Sequence, residues 1–148
     1  ASDKSGDHGG QLEHAQSEVF YMSWPHSDVN ATQAALNGLR QLHKTLTPIL
    51  ERNTTDACPL HFYAALERGV YLLGLVGAQN ARRSVLLGPV ANDVAGMLGL
   101  CEELDSPILI GPQAAQTLTT QASEPLQSLG QFMLPDQRRA KTLYRVPL

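Results

Sequence analysis

Apolar residues along the chain change their spacing several times, and each change marks an element boundary. Behind a polar, Gly-rich stretch at residues 1–10, residues 11–14 and 18–24 read as two strands. The second, EVFYMSW, is rich in aromatic and β-favouring side chains and stops at Pro25. Ser27 or Asn30 then supplies an N-cap for a helix reaching about Glu51. Its apolar positions Ala35, Leu39, Leu42, Leu46 and Ile49 recur at helical spacing and predict one buried stripe, with Pro48 kinking or shortening the last turn. Residues 60–66, 70–76 and 84–87 read as three further strands, the first two separated by a turn at Glu67-Arg68-Gly69. A helix over about 90–104 follows, then a strand at 107–110 and a helix opened by Pro112 over 113–119. Residues 120–128 form a polar connection, and strands at 130–134 and 142–146 flank a basic turn at 136–139. Strands interleaved with helices predict an α+β sandwich with an antiparallel or mixed sheet and helices mainly on one face.

Composition narrows the picture. The chain has 148 residues, of which 43% are hydrophobic, enough for one domain with its own core. Residues 1–10 are expected as a flexible lead-in and residues 11–148 as the domain. A net charge of −3 with no basic stripe argues against nucleic-acid binding. No apolar stretch is long enough to span a membrane, and the polar start is unlike a signal peptide. The start at Ala1, without methionine, suggests a processed piece of a longer protein. Cys58 and Cys101 are too few for a disulfide framework and are expected to be reduced. The five histidines form no metal-binding motif.

The segment RGVYLLGLVGAQNARRSVLLGPVANDVAGML (68–98) carries the most information. It runs strand, Gly77 turn, Arg82-Arg83, strand, Gly88-Pro89, and then a helix bearing Asn92. With Gly9-Gly10, Ser17-Glu18, the helix over 28–51, Ile108-Leu109-Ile110, Leu129-Gly130 and Leu143-Tyr144-Arg145-Val146, this order resembles the catalytic domain of class III adenylate/guanylate cyclases. The resemblance implies a ferredoxin-like, nucleotidyl-cyclase-type sandwich, here N-terminally truncated. It also implies head-to-tail pairing with composite sites at the interface.

In that family two Asp carboxylates hold the metal ions. The resemblance places the first upstream of Gly9-Gly10, where only the polar lead-in stands. It places the second at Glu18, which is either a cation ligand or a glutamate facing water. The purine-reading positions correspond to His14, which can hydrogen-bond a base, and to Pro89, which cannot. Asn92 matches the ribose-orienting Asn and also suits a helix N-cap. The transition-state Arg position is Gly96, which carries no donor. Arg138 and Arg139 occupy a turn where some family members bind triphosphate, or simply form a solvated turn.

These losses, at Glu18, His14, Pro89 and Gly96, predict a domain that is not an enzyme, binds no metal and needs no cofactor. Its expected work is dimerisation or signal relay, as a homodimer or with another cyclase-like domain. Two alternatives stand beside that. In one, the chain senses a nucleotide or small anion through Asn92, His14, Arg138 and Arg139. In the other, it is half of a heterodimeric cyclase. By resemblance it is expected in the cytoplasm, attached to a membrane-anchored parent protein.

Overall fold

The computed structural model describes residues 11–16, 19–24, 30–57, 59–69, 72–76, 83–135 and 137–147. The lead-in at 1–10 and residues Glu18, Ser27, Cys58, Arg82 and Asp136 lie outside them. In chain order the elements are β1 (Gln11–Gln16), β2 (Val19–Ser23), α1 (Ala31–Asn53) and β3 (Ala64–Leu66). Next come β4 (Leu72–Val76), β5 (Arg83–Leu87), α2 (Pro89–Leu100) and β6 (Ile108–Ile110). Last are α3 (Pro112–Ala122), β7 (Gln127–Phe132) and β8 (Lys141–Arg145).

The central sheet has four strands in the order β3-β6-β8-β7, with β3 parallel to β6 and the other pairs antiparallel. It is therefore mixed. Two antiparallel hairpins, β1-β2 and β4-β5, stand outside that ladder, with β1 lying against β5. The alternation of strand side chains divides the core in two. Ile108 and Ile110 pack with Leu36 and Leu39 of α1 and Leu118 of α3. Leu109 points the other way, to Met97 and Cys101 of α2 and to Leu134 and Leu143. All three β6 residues are buried because helices cover both faces there, which explains their unbroken apolar run. Two of the three helices share one face, and α2 alone covers the other.

Helix α1 departs from the sequence reading at its end. It runs through Pro48 to Asn53, and its buried positions are Thr32, Ala35, Leu36, Gly38, Leu39 and Leu42. Ile49, expected in the stripe, is 42% exposed. Pro48 beside it is exposed as well, so the buried stripe ends at Leu42 while the helix continues. Asn30 holds the N-cap position without a side-chain cap. The helix is tied to the exit of α3 by Arg40, whose two terminal nitrogens each donate to Glu124 at 2.9 Å. That forked pair, with Gln33 donating to the same carboxylate, holds Glu124 below the usual carboxylate range.

Two other boundaries move. Regular pairing in the middle section begins only at Ala64, not at Leu60. Strand β7 begins at Gln127, inside the expected polar connection, because Gln127 and Ser128 pair with Arg145 and Tyr144. Both are exposed, so polarity there marks a solvated edge strand.

Candidate active site

The site is organised around the start of α2. Gly88 precedes the helix at φ 126°, ψ 175°, a backbone region reserved for glycine, and Pro89 occupies the first helical position. Asn92 therefore lies inside the first turn and is exposed. It is not the N-cap, because Gly88 holds that place. Its side chain is left facing solvent at the end of the helix where backbone N–H groups gather and where no acidic residue stands.

Two close approaches fix this helix. A Cβ added at Gly69 would stand 2.8 Å from the Val90 Cβ, so the segment that follows β3 approaches the first turn of α2 this closely only because residue 69 has no side chain. A Cβ at Gly96 would stand 3.1 Å from Pro135 Cδ and 3.4 Å from Leu134 Cβ. Position 96, which lies four residues beyond Asn92 on the same helix face, is thus given over to packing the β7-β8 connection.

The next residue round the helix supplies the electrostatic anchor. Asp93 is 5% exposed, and its carboxylate accepts from Lys141 Nζ at 2.7 Å and from Gln137 Nε2 at 2.9 Å. These bonds clamp the connection between β7 and β8 to α2. They hold the connection that carries Arg138 and Arg139, both exposed, against α2. His14 lies on β1, at a register step between Leu12 and His14. Its strand lies against β5, whose end leads into Gly88. Glu18 falls outside the described residues.

The sequence reading passed over two carboxylates. Asp93 was hidden beside Asn92, and its only signal was an acidic residue within an apolar helical segment. Glu67, expected in a turn, accepts from the backbone N–H groups of Ala114 and Arg68, each at 2.8 Å. It thereby caps the start of α3, and a side chain at Gly111 would collide with its carboxylate. Burial raises its pKa above the usual carboxylate range, against the lowering effect of those N–H groups. Cys101 is a free, buried thiol whose pKa burial pushes up to about 12, so it behaves as core rather than as a nucleophile.

Among the described residues no group of three His, Cys, Asp or Glu side chains is placed to hold a metal ion. The carboxylates described here are committed elsewhere: Asp93 to Lys141, Glu124 to Arg40, and Glu67 to the start of α3. None of the described helices is long and apolar enough to cross a membrane.

No protein-family model and no curated sequence matches the chain. Solved structures do. A bacterial light-regulated adenylyl cyclase superposes on 97% of the chain with a TM-score of 0.75 and 19% identity. The adenylyl cyclase CyaB from P. aeruginosa superposes on 99% with a TM-score of 0.73 and 15% identity. The guanylate cyclase domain of RhGC from Catenaria anguillulae, in complex with GTP, superposes on 96% with a TM-score of 0.69 and 12% identity. The chain spans 41% of the light-regulated cyclase, 76% of CyaB and 74% of the RhGC domain.

These matches overturn the expectation that the chain is not an enzyme, because the structures sharing its fold are adenylyl and guanylyl cyclases. That expectation counted side chains in one chain, at Glu18, His14, Pro89 and Gly96, whereas the likeness lies in the backbone fold. Over nearly its whole length, the chain has the fold of the class III adenylyl and guanylyl cyclase catalytic domain.

Proposed function

We propose that this chain is one domain of a paired nucleotidyl-cyclase unit. It holds a purine nucleoside triphosphate against the start of α2, and a second cyclase-type domain completes the site. The observation that carries this reading is the exposed Asn92 in the first turn of α2, next to the Asp93 clamp that fixes the turn bearing Arg138 and Arg139. An amide in that position can orient a ribose, while the helix N-terminus and two guanidinium groups favour a polyphosphate. Gly96 and Pro89 supply no polar side chain, so the partner domain provides the transition-state guanidinium and the metal-binding carboxylates in this reading. A cytoplasmic location, where purine triphosphates are abundant, goes with it.

The test is calorimetric titration of the chain with non-hydrolysable ATP and GTP analogues. Saturable binding that weakens at least tenfold in Asn92→Ala and in an Arg138→Ala/Arg139→Ala double variant is the expected result. No binding of either analogue by the unmodified chain refutes the reading. Cyclic-nucleotide formation is then measured for the chain alone and mixed with a complete cyclase domain.

Pairing has its own support. Leu87, directly before Gly88, is 53% exposed, and Met133, directly before the Leu134 that packs on Gly96, is 58% exposed. Large apolar side chains left in water on both flanks of α2 suit a partner surface. A regulatory or signal-relay role follows from the same contact, since a partner seated there controls whether the site is complete. Sedimentation at increasing concentration should reveal self-association that Leu87→Lys weakens.

A further inference from the structure

We infer that the Glu67 carboxyl is a proton-operated latch. Protonated, it fastens the start of α3 to the segment that follows β3; ionised, it releases that start and lets the first turn of α2 shift with it. The inference rests on neither nucleotide binding nor pairing.

The two oxygens of this carboxyl are used unequally. Oε1 accepts from the N–H groups of Arg68 and Ala114, each at 2.8 Å, and so serves the first turn of α3. Oε2 is buried and has no hydrogen-bond partner. It lies against Gly111, the residue before α3, so closely that a Cβ there would collide with it. The surroundings are pinned on both sides. Gly111 donates its N–H to the Leu66 carbonyl at 2.8 Å, and the Arg68 guanidinium donates to Thr117 Oγ1, further along α3, at 2.9 Å.

A buried oxygen that receives no donor tolerates a neutral carboxyl far better than a charged one. Burial accordingly raises the pKa of Glu67, against the lowering influence of the backbone N–H groups and of Lys141. The charges around it are already occupied: Arg68 is turned to Thr117, and Lys141 of β8 is held by Asp93 of α2 at 2.7 Å. His61 and Tyr63, on the flank of β3, line the same cavity as Glu67. Helix α3 carries no ionisable side chain, and the described residues that β2 and α1 present there are uncharged.

When the proton leaves, the charge on Oε2 has to reach a donor or water, and Gly111 covers it. Relief therefore means moving Gly111 and the first turn of α3 away. The same segment carries Gly69 two residues on, where an added Cβ would stand 2.8 Å from the Val90 Cβ. Movement at Glu67 is passed through that close approach to the first turn of α2. This turn is the more loosely held of the two. Asn92 donates to Gly88 at 3.3 Å, whereas the corresponding bond of α3, from Ala115 to Gly111, is 2.9 Å.

The test follows the unmodified chain by NMR as pH rises from 4.5, the ordinary value for this carboxyl. The Glu67 side-chain carboxyl should titrate above that value. Over the same interval the hydrogen-exchange protection of the Ala114 amide should fall at least about tenfold, and the Val90 amide resonance should move with the same midpoint. Glu67→Gln keeps an acceptor for the two N–H groups and cannot ionise. In that variant Ala114 protection should stay constant to within about twofold, and the Val90 movement should vanish. A carboxyl midpoint at or below 4.5 overturns the inference, as does Ala114 protection that holds while the carboxyl titrates. A Val90 movement that persists in Glu67→Gln overturns the link to α2 and traces it to another group, such as His61. If Glu67→Gln does not fold, the carboxyl midpoint and Ala114 protection in the unmodified chain still decide.

Discussion

Replacing Asp93 with alanine should loosen the clamp between α2 and the β7-β8 connection, and the structure sets the size of the effect. The carboxylate is almost fully buried and accepts one bond from an ammonium and one from an amide. Bonds to charged groups contribute about 1.5–3 kcal/mol each, and stranding a partner in the interior costs about 3–5 kcal/mol. Full burial does not apply to Lys141, whose side chain is 27% exposed and regains water when released. The gross loss is therefore about 2–3 kcal/mol. Alanine is the better helix former and returns about 0.5 kcal/mol, for a net loss of about 2 kcal/mol. In a domain of this size that lowers the thermal midpoint by about 4–8 °C. Urea unfolding followed by circular dichroism measures it, and a cycle with Lys141→Met isolates the pair. A net loss below about 0.5 kcal/mol would place the contact with ordinary surface ion pairs and refute the reasoning. So would strict additivity in the cycle. The nucleotide binding proposed at Asn92 should fall with the clamp, because the connection that carries Arg138 and Arg139 is released.

Two further outcomes test the frame around the site. Burial raises the Glu67 pKa, so the folded state holds the proton more tightly than the unfolded one. Its stabilising share is complete below the ordinary value of 4.5 and is lost as pH rises through the raised folded value. Urea midpoints for the unmodified chain should therefore fall relative to Glu67→Gln across that interval, and parallel curves would count against a buried carboxyl. Glu124 runs the opposite way: its lowered pKa makes its contribution fade as pH falls, so the Glu67 comparison must be made by difference. For Gly69→Ala, the new methyl meets the Val90 Cβ at 2.8 Å, an atom fixed to the helix backbone. Overpacking of that kind costs about 1–3 kcal/mol. A urea-unfolding change within about 0.3 kcal/mol would show that α2 is free to shift.

Local pattern was sufficient for much of this fold. Helical spacing located α1 and its buried face as far as Leu42, because amphipathic periodicity depends only on residues a few positions apart. Gly88-Pro89 and Gly111-Pro112 marked the starts of α2 and α3, since each pair allows a turn and then fixes a helical φ. The apolar run at 107–110 announced a strand, and its burial on both faces was added by the packing of the helices. These features follow from backbone stereochemistry and side-chain polarity, which the chain carries in its order.

What the sequence left open depends on residues distant in the chain. Asp93 finds Gln137 and Lys141 44 and 48 positions away, and Glu67 caps a helix whose Ala114 lies 47 positions on. No local rule announces such partners. Pro48 and Ile49 looked like a kink and a core position, but the helix runs through both and leaves them exposed. Asn92 had two readings, cap or ligand-facing amide, and only the placement of Gly88 at the cap removed the first. Sequence order settled which segments become strands and helices; the packing of those segments decided which polar groups are held and by what.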